Sequence, residues 1–517
     1  MSQVPLAVLL EGMDPAWSPG AETVLVGGVA CDSRRLAPGD LFVAFPGGTA
    51  DGHDYLEAAG SAGAAAAVVE RGDAAPTGLP TVRVADARRA LGPIAARFHG
   101  RPAERMRLAG ITGTNGKTTT AWLLDGLFHA AWNASLLAGT VTHRARIGRG
   151  ADARTLECAG PGLTTREASD FQAFLAEAEA AGCRAGAVEC SSHGLAQGRL
   201  LGTRFRAAVF MNLTRDHLDF HPDFESYYRA KRRLFTESLA DDGTAVVCLD
   251  DPHGRRLARE LRTLRPDARV IGFGEDPTAS VRIRGVESGL DGLHFRLQTE
   301  NGSYAVTSPL VGAFNALNLA AAWAAATALG MPGEQAADLL GQVTGPPGRM
   351  ERIVLPASAG SRPAHGSPTV LVDYAHTPDA LARALAEGRV LVGAGRLAAV
   401  FGCGGDRDRE KRPLMGDAAA RLADRVVVTS DNPRSEDPAS IIADIRLGAD
   451  NPLLGATIEA EPDRRRAIER TVADAAPADL VVIAGRGHEG LQAVADRRIP
   501  LDDRVLAREA IRQRALA

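Results

Sequence analysis

Residues 108–120 read Leu-Ala-Gly-Ile-Thr-Gly-Thr-Asn-Gly-Lys-Thr-Thr-Thr, a glycine-rich turn between an apolar run at 106–111 and a helical pattern that begins near 118. Such a stretch suits a polyphosphate: the glycines let backbone N–H groups close on the anion, and the following helix presents its positive end. Lys117 is placed to reach the outer phosphates and the Thr118 hydroxyl to sit on a magnesium ion. A strict Walker loop has glycine five residues before its last one, where this chain has Ile111, so the loop is a variant with glycines at 110, 113 and 116. Glu189 closes a second apolar run, 185–189. A carboxylate there can hold the metal opposite the phosphates, and burying it without such a task would only cost desolvation.

The basic residues point the same way. Of 59, only three are lysine, at 117, 231 and 411. Arginine serves wherever a plain positive charge is enough, so a retained lysine marks a task that guanidinium cannot perform, such as a point charge on phosphate or a nucleophilic amine. Lys117 fits the first task and Lys231 the second, whereas Lys411 has no role on this reading.

Gly-Thr-Asn-Gly-Lys-Thr-Thr after a strand resembles the ATP loop of the Mur ligase family, the amino-acid-adding enzymes of peptidoglycan synthesis. Residues 210–221 are similar to that family's NLTRDHLDYH signature, 191–199 to its SSHGLxQxR stretch, and Thr164–Thr165 to its paired threonines, although Arg166 stands where proline usually follows. The block Asp32-Ser33-Arg34, residues 38–44 and Asp51-Gly52-His53 consists of ordinary turns by itself, but ahead of the ATP loop it resembles the family's uridine-nucleotide-binding domain.

The resemblance implies that Gly113, Thr114, Asn115, Gly116, Lys117, Thr118, Thr119, Asn315, Asn318, Arg349 and Asp373 bind ATP. Cys31, Ser33, Gly48, Thr49 and Ala50 would line the uracil and ribose of a UDP-sugar, and Thr164, Thr165, Ser191, Gln197 and Arg199 its acyl-peptide arm. His217, which residue type alone reads equally as a solvated loop histidine, becomes a metal ligand. Lys231 becomes a carbamate, formed when carbon dioxide adds to the neutral amine, and joins Thr118, Glu189 and His217 in holding two magnesium ions.

Three loops of the last third complete the picture: 402–408, Asp431-Asn432-Pro433-Arg434, and 485–489, in which Arg486 replaces the family's usual lysine as a tolerated exchange. By resemblance Arg407, Asp431, Asn432, Pro433, Arg434, Gly485 and Glu489 form the amino-acid pocket. Arg434 selects meso-diaminopimelate over lysine, because it can pair with the extra carboxylate and would be left unpaired by lysine. The implied reaction joins meso-2,6-diaminopimelate to UDP-N-acetylmuramoyl-L-alanyl-D-glutamate with ATP, through an acyl phosphate formed at Lys117, Glu189, His217 and Lys231. Rival readings are an L-lysine-adding ligase, a folylpolyglutamate synthetase and a phosphate-loop switch or motor.

These residues need strands and helices to hold them. At 517 residues the chain is expected to form three domains: 1–103 for the UDP-sugar, 104–347 for ATP and 348–517 for the amino acid, with a hinge at 345–349. The expected class is α/β, with a smaller N-terminal α/β domain, a central doubly wound sheet like that of P-loop ATPases, and a Rossmann-like C-terminal domain. Strands are predicted at 23–29, 41–45, 65–70 and 81–84, then at 185–189, 207–213, 244–249 and 270–273, and finally at 370–373, 398–402, 425–429 and 480–484. Helices are predicted at 118–130, 167–181 and 315–329, and an exposed loop at 356–368.

A hydrophobic content of 45% with 24% charged residues suits a globular protein in water. The net charge of -4, with basic residues scattered, argues against nucleic acid. No apolar stretch reaches a membrane span, no secretory signal is expected, and six cysteines without metal spacing suit a reducing cytoplasm. The expected partners are small molecules only, and the expected state is a monomer.

Overall fold

The computed structural model describes residues 3–48, 50–71, 78–158, 163–355, 367–451 and 453–516. Among them three sheets carry the fold. The first runs Ala16–Trp17, Thr81–Arg83, Ala66–Val69, Asp40–Val43, Gly28–Ala30, parallel except at the Ala16–Trp17 edge. The predicted strand at 23–29 is instead two, Leu25–Val26 and Gly28–Ala30, with Thr23 in a short 3-10 turn.

The central sheet has eleven strands among the described residues. Its middle is parallel, in the order Ala134–Ala138, Ala185–Glu189, Arg107–Thr112, Phe205–Phe210, Leu239–Cys248, Arg269–Gly274. Strands buried on both faces read as continuous apolar runs, which is why 185–189 was legible to the residue. The helix Asn315–Ala328 packs on this sheet, and its alanines 320, 321, 322, 324, 325 and 326 are fully buried, which brings its backbone close to the strands.

Past Arg269–Gly274 the sheet continues through Val281–Gly289, Gly292–Thr299 and Gly302–Ser308, an antiparallel meander that sequence reasoning missed. Its signals were present. Asp291-Gly292 and Asn301-Gly302 mark tight hairpin turns, and Leu293, Phe295 and Leu297 alternate inward.

The third sheet runs Glu351–Arg352, Thr369–Asp373, Leu480–Ala484, Leu397–Phe401, Arg425–Val428, Thr457–Ala460, parallel except at the first edge. The loop expected at 356–368 lies almost wholly outside the described residues. The chain is thus mixed α/β, and among the described residues no helix is long and apolar enough to cross a membrane.

Candidate active site

The strand Arg107–Thr112 delivers the chain into the turn 113–116, and the helix Lys117–Trp132 starts there. Gly116 has φ 86°, in the left-handed region, and a Cβ on it would lie 2.4 Å from Asn318 Oδ1, so only glycine fits. No side chain caps this helix, whereas Asp223, Asp251 and Thr377 cap theirs. The first N–H groups of Lys117–Trp132 therefore stay available to an anion. Lys117 Nζ donates to Gly113 O at 2.9 Å and Thr114 O at 2.8 Å, folded back over the loop it would serve. Asn212 Oδ1 accepts from the N–H groups of Thr114 and Asn115, fixing the loop from the neighbouring strand end.

The Glu189 carboxylate is buried behind the loop and accepts from the Thr118 hydroxyl at 2.9 Å, from the Thr140 N–H at 2.8 Å and from the Thr140 hydroxyl at 3.1 Å. Hard oxygen donors at a phosphate loop suit magnesium, which takes one or two protein ligands and completes its shell with phosphate oxygens and water. Among the described residues no three His, Cys, Asp or Glu converge into a protein-only metal cage. Thr140 was not anticipated, yet it stands just past the carboxyl end of Ala134–Ala138, where functional residues of such sheets collect.

Lys231, on the helix Phe224–Arg233, is fully buried and donates from Nζ to Gly113 O at 2.7 Å, the carbonyl that also receives Lys117. Burial, and after it the charge of Lys117, hold its pKa well below 10.5. His217 adopts φ 55° in its turn, lies 3.4 Å from Asp216, and packs its ring 4.9 Å from His193 and 6.0 Å from Tyr227. Burial keeps it neutral, with a nitrogen lone pair free for a ligand. Asp216 and His193, both overlooked in the sequence, line the same cavity as His217 and Lys231.

That cavity, about 500 Å³, is where the pieces meet. The loop residues 114–119 form one wall, with Asn315 and Asn318 beside them. Thr164, Thr165, Ser191 and Arg199 form another, and Arg349, Asp373 and Arg407 close it from the third sheet. Thr165 donates to Glu189 O at 2.8 Å and accepts from Ser191 N–H at 3.0 Å, while Thr140 and Thr164 hydroxyls meet at 3.0 Å. Arg166 leaves this pair intact: its guanidinium turns away to Cys158 O at 2.8 Å. Arg349 donates to the Thr118 hydroxyl at 3.3 Å and lies over the Tyr374 ring at 4.3 Å. Asp373 accepts N–H from Met350 and Ala375, and burial raises its pKa.

Gln197 lies outside the cavity: its backbone carbonyl and its side chain both meet Arg88, whose guanidinium covers the Phe45 ring and pairs with Glu167 at 3.0 Å. Arg88 thus fastens the first sheet's helix Ala87–Phe98 to the central site, across a sequence gap that hid it from view. In the first domain, Cys31 is 4.0 Å from Ser169 Oγ, and burial pushes its thiol up to about 11. Ser33 opens a 3-10 turn capped by Asp32; Gly48 and Ala50 lie at an exposed turn where the Gly47 N–H donates to Ala50 O. Thr49 lies outside the described residues.

The three loops expected to form the amino-acid pocket sit at the carboxyl ends of Leu397–Phe401, Arg425–Val428 and Leu480–Ala484. Asn432 donates to Glu489 Oε2 at 2.8 Å, and Glu489 also accepts from the Tyr374 hydroxyl at 3.3 Å. Burial raises the pKa of Glu489, helped by Asp431. Gly485 has φ 110°, and a Cβ there would fall 2.5 Å from Asp431 Oδ2. Pro433 is buried, and Arg434, with φ 52°, donates to Gly405 O at 2.6 Å. Of this set only Arg407 lines the cavity itself.

Two residues gain surroundings that the sequence did not give. Arg486 is fully buried and donates to Asn432 Oδ1 at 2.7 Å and Leu501 O at 3.2 Å. Lys411, left without a role, donates to His376 O at 2.9 Å beside the cavity.

Comparison with known proteins places these features together. Residues 25–99 match the model of the Mur ligase family catalytic domain, 111–326 that of the Mur ligase middle domain, and 348–487 that of the Mur ligase glutamate ligase domain. The chain is 46% identical over 503 residues to a UDP-N-acetylmuramoyl-L-alanyl-D-glutamate–2,6-diaminopimelate ligase of Parasynechococcus marenigrum, covering 94% of each chain. It is 42% identical over 507 residues, 95% of each chain, to the enzyme of that name from Synechococcus elongatus. A solved structure of a ligase of the same name superposes with a TM-score of 0.70 at 34% identity, covering 99% of each chain.

Proposed function

Because this chain belongs to the Mur ligase family, we propose that it is an ATP-dependent ligase that joins meso-2,6-diaminopimelate to UDP-N-acetylmuramoyl-L-alanyl-D-glutamate, forming an amide bond and releasing ADP and phosphate. The observation that carries this reading is the single cavity in which the phosphate loop, the Thr164–Thr165 and Ser191 wall, and Arg407 of the third sheet face one another.

The substrate's glutamate carboxylate attacks the γ-phosphorus of ATP, ADP leaves, and an acyl phosphate forms. The amino group of diaminopimelate then attacks the acyl carbon and phosphate leaves. Lys117 and the N–H groups of the loop offset the charge on the transferring phosphoryl group, a largely electrostatic form of catalysis. Thr118, Glu189, His217 and carbamylated Lys231 would hold two magnesium ions, which supply further charge neutralisation and alignment of the phosphates. Lys231 suits carbamylation because burial favours the neutral amine that adds carbon dioxide. Asn315, Asn318, Arg349 and Asp373 take the rest of ATP, and Arg349 ties the third sheet to Thr118 once the cleft is closed.

In this reading residues 1–103 take the uridine nucleotide, with Cys31, Ser33, Gly48, Thr49 and Ala50 against it. Residues 104–347 take ATP and residues 348–517 the amino acid. Arg434 and Arg407 bind the distal carboxylate of diaminopimelate, and Glu489, held by Asn432 and Tyr374, reads an ammonium group. In this reading the chain works as a monomer in the cytoplasm, where its co-substrate ATP is found.

The test is phosphate release with ATP and UDP-N-acetylmuramoyl-L-alanyl-D-glutamate, comparing meso-diaminopimelate with L-lysine. Wild type should require diaminopimelate, and Arg434→Ala should lose that turnover by roughly 100-fold, about 2.7 kcal/mol of transition-state binding. Equal release with lysine would keep the ligase and remove the role given to Arg434.

A further inference from the structure

Two loops, 404–407 and 431–436, are laced together beside the cavity by bonds between residues as far as 30 positions apart, and the lacing converges on a residue that touches no substrate wall. Arg434 Nη1 donates to Gly405 O at 2.6 Å, and the Gly405 N–H donates to Asn432 O at 2.9 Å. The Asp406 carboxylate accepts the Ser435 N–H at 3.2 Å and the Ser435 hydroxyl at 2.7 Å. In return the Asp406 N–H donates to Glu436 Oε1 at 2.6 Å. Both arginines of the amino-acid pocket hang from this lacing. A Cβ on Gly404 would sit 2.9 Å from Arg434 Nη1 and 3.9 Å from Arg407 Cγ, so the two side chains flank one glycine.

Glu436 is itself fixed from behind. Arg412, fully buried, donates to its two oxygens at 2.8 and 3.0 Å and spends its remaining reach on Asp444 at 2.9 Å. Arg409 adds a contact at 2.8 Å. These bonds, those from Arg412 first, hold the Glu436 carboxyl down at about 2. Charge-assisted bonds of this kind hold direction as well as distance.

Resting on the reading that this pocket holds the amino-acid substrate, we propose that Glu436, locked by Arg412, is a specificity-determining positioning residue that clamps loop 404–407 onto loop 431–434 and so aims Arg407 and Arg434 at one carboxylate. A carboxylate is required because it must accept from a backbone N–H and from two guanidinium groups at once. Glutamine of the same shape would turn an amide NH2 group against Arg412 or Asp406 N–H.

The test uses the full chain with Glu436→Gln and, as a milder break of the same lacing on an exposed side chain, Asp406→Ala. Glu436→Gln should raise the KM for meso-diaminopimelate by roughly tenfold and lower the preference for diaminopimelate over L-lysine by a similar factor, with the KM for ATP unchanged. Asp406→Ala should do the same to a smaller degree. Loss of folding alone would lower kcat with the fraction of intact enzyme and leave both KM values and the preference where they were. If Glu436→Gln does not fold, Asp406→Ala decides. Preference and KM retained within about twofold in a folded variant would overturn the clamp. Wild type that releases phosphate with neither amino acid would instead overturn the functional reading beneath it.

Discussion

At the phosphate loop the central sheet supplies lysines, and beneath the loops of the third sheet the buried cations are arginines, in surroundings that differ as much as the residues do. Lys117, half-buried, and Lys231, fully buried, both lie against backbone carbonyls of the phosphate loop, and among the described residues neither forms an ion pair. Burial lowers the pKa of both. Arg412, Arg464 and Arg486 are as buried as Lys231, yet each faces acid: Arg412 has Glu436 and Asp444, Arg464 has Asp503 at 2.7 Å, and Arg486 has Glu489 at 3.7 Å. A guanidinium keeps its proton in any protein setting, so a buried one demands a carboxylate; an amine can surrender its proton and needs none. On the proposed reading, the half of the site that would form the acyl phosphate holds adjustable charge, and the half that would recognise the amino acid holds permanent charge.

The sharpest way to break this contrast is to carry arginine into the central half. Lys231→Arg keeps the charge and removes the amine, and ligation should fall by about 100-fold or more, measured as phosphate release at saturating substrates. Near-normal turnover would end the case for a carbamate at this position.

The reverse experiment removes permanent charge from the third sheet. Arg464 donates to Asp503 and to the carbonyls of Ser430 and Ala484, the residues just ahead of two pocket loops. Arg464→Ala strands a buried carboxylate and should cost about 3–5 kcal/mol, read from the denaturant midpoint of the C-terminal unfolding step by circular dichroism. Pairing Arg464→Met with Asp503→Leu should recover most of that loss. If the single variant is as stable as wild type, the acids here are not what makes buried arginine tolerable.

The smallest effect is expected where the two residue types come closest to exchange. Arg486→Lys retains one donor for Asn432 but abandons Leu501 O, so the KM for diaminopimelate should rise by less than about tenfold with kcat unchanged. A change in the KM for ATP instead would show that this position serves the nucleotide.

What the sequence disclosed depended on how local the cause was. The loop 113–119 and the strand Ala185–Glu189 were legible because their glycines and apolar runs act within a dozen residues. The α/β class and the family followed from those same runs and from motifs of similar length. Thr140 and Arg88 were missed for the opposite reason: each matters through a partner chosen by folding, as when Arg88 meets Gln197 across 109 positions. The meander through Val281–Gly289, Gly292–Thr299 and Gly302–Ser308 was a failure of reading, since its Asp-Gly and Asn-Gly turns were in plain view. Arg486 taught a different lesson, because a residue type alone cannot tell a solvated charge from one that is fully buried and held through both terminal nitrogens.

The closing of the cavity by Arg349, Asp373 and Arg407 also bears on how the enzyme comes into being on the ribosome. The parallel strands from Arg107–Thr112 to Arg269–Gly274 emerge before the third sheet and can settle around the phosphate loop while the rest is still being translated. Asn115 then waits 264 residues for Asp379, and Thr118 waits 231 for Arg349. A nascent or truncated chain that stops short of these residues thus has the glycine-rich loop without the wall that completes the cavity around it.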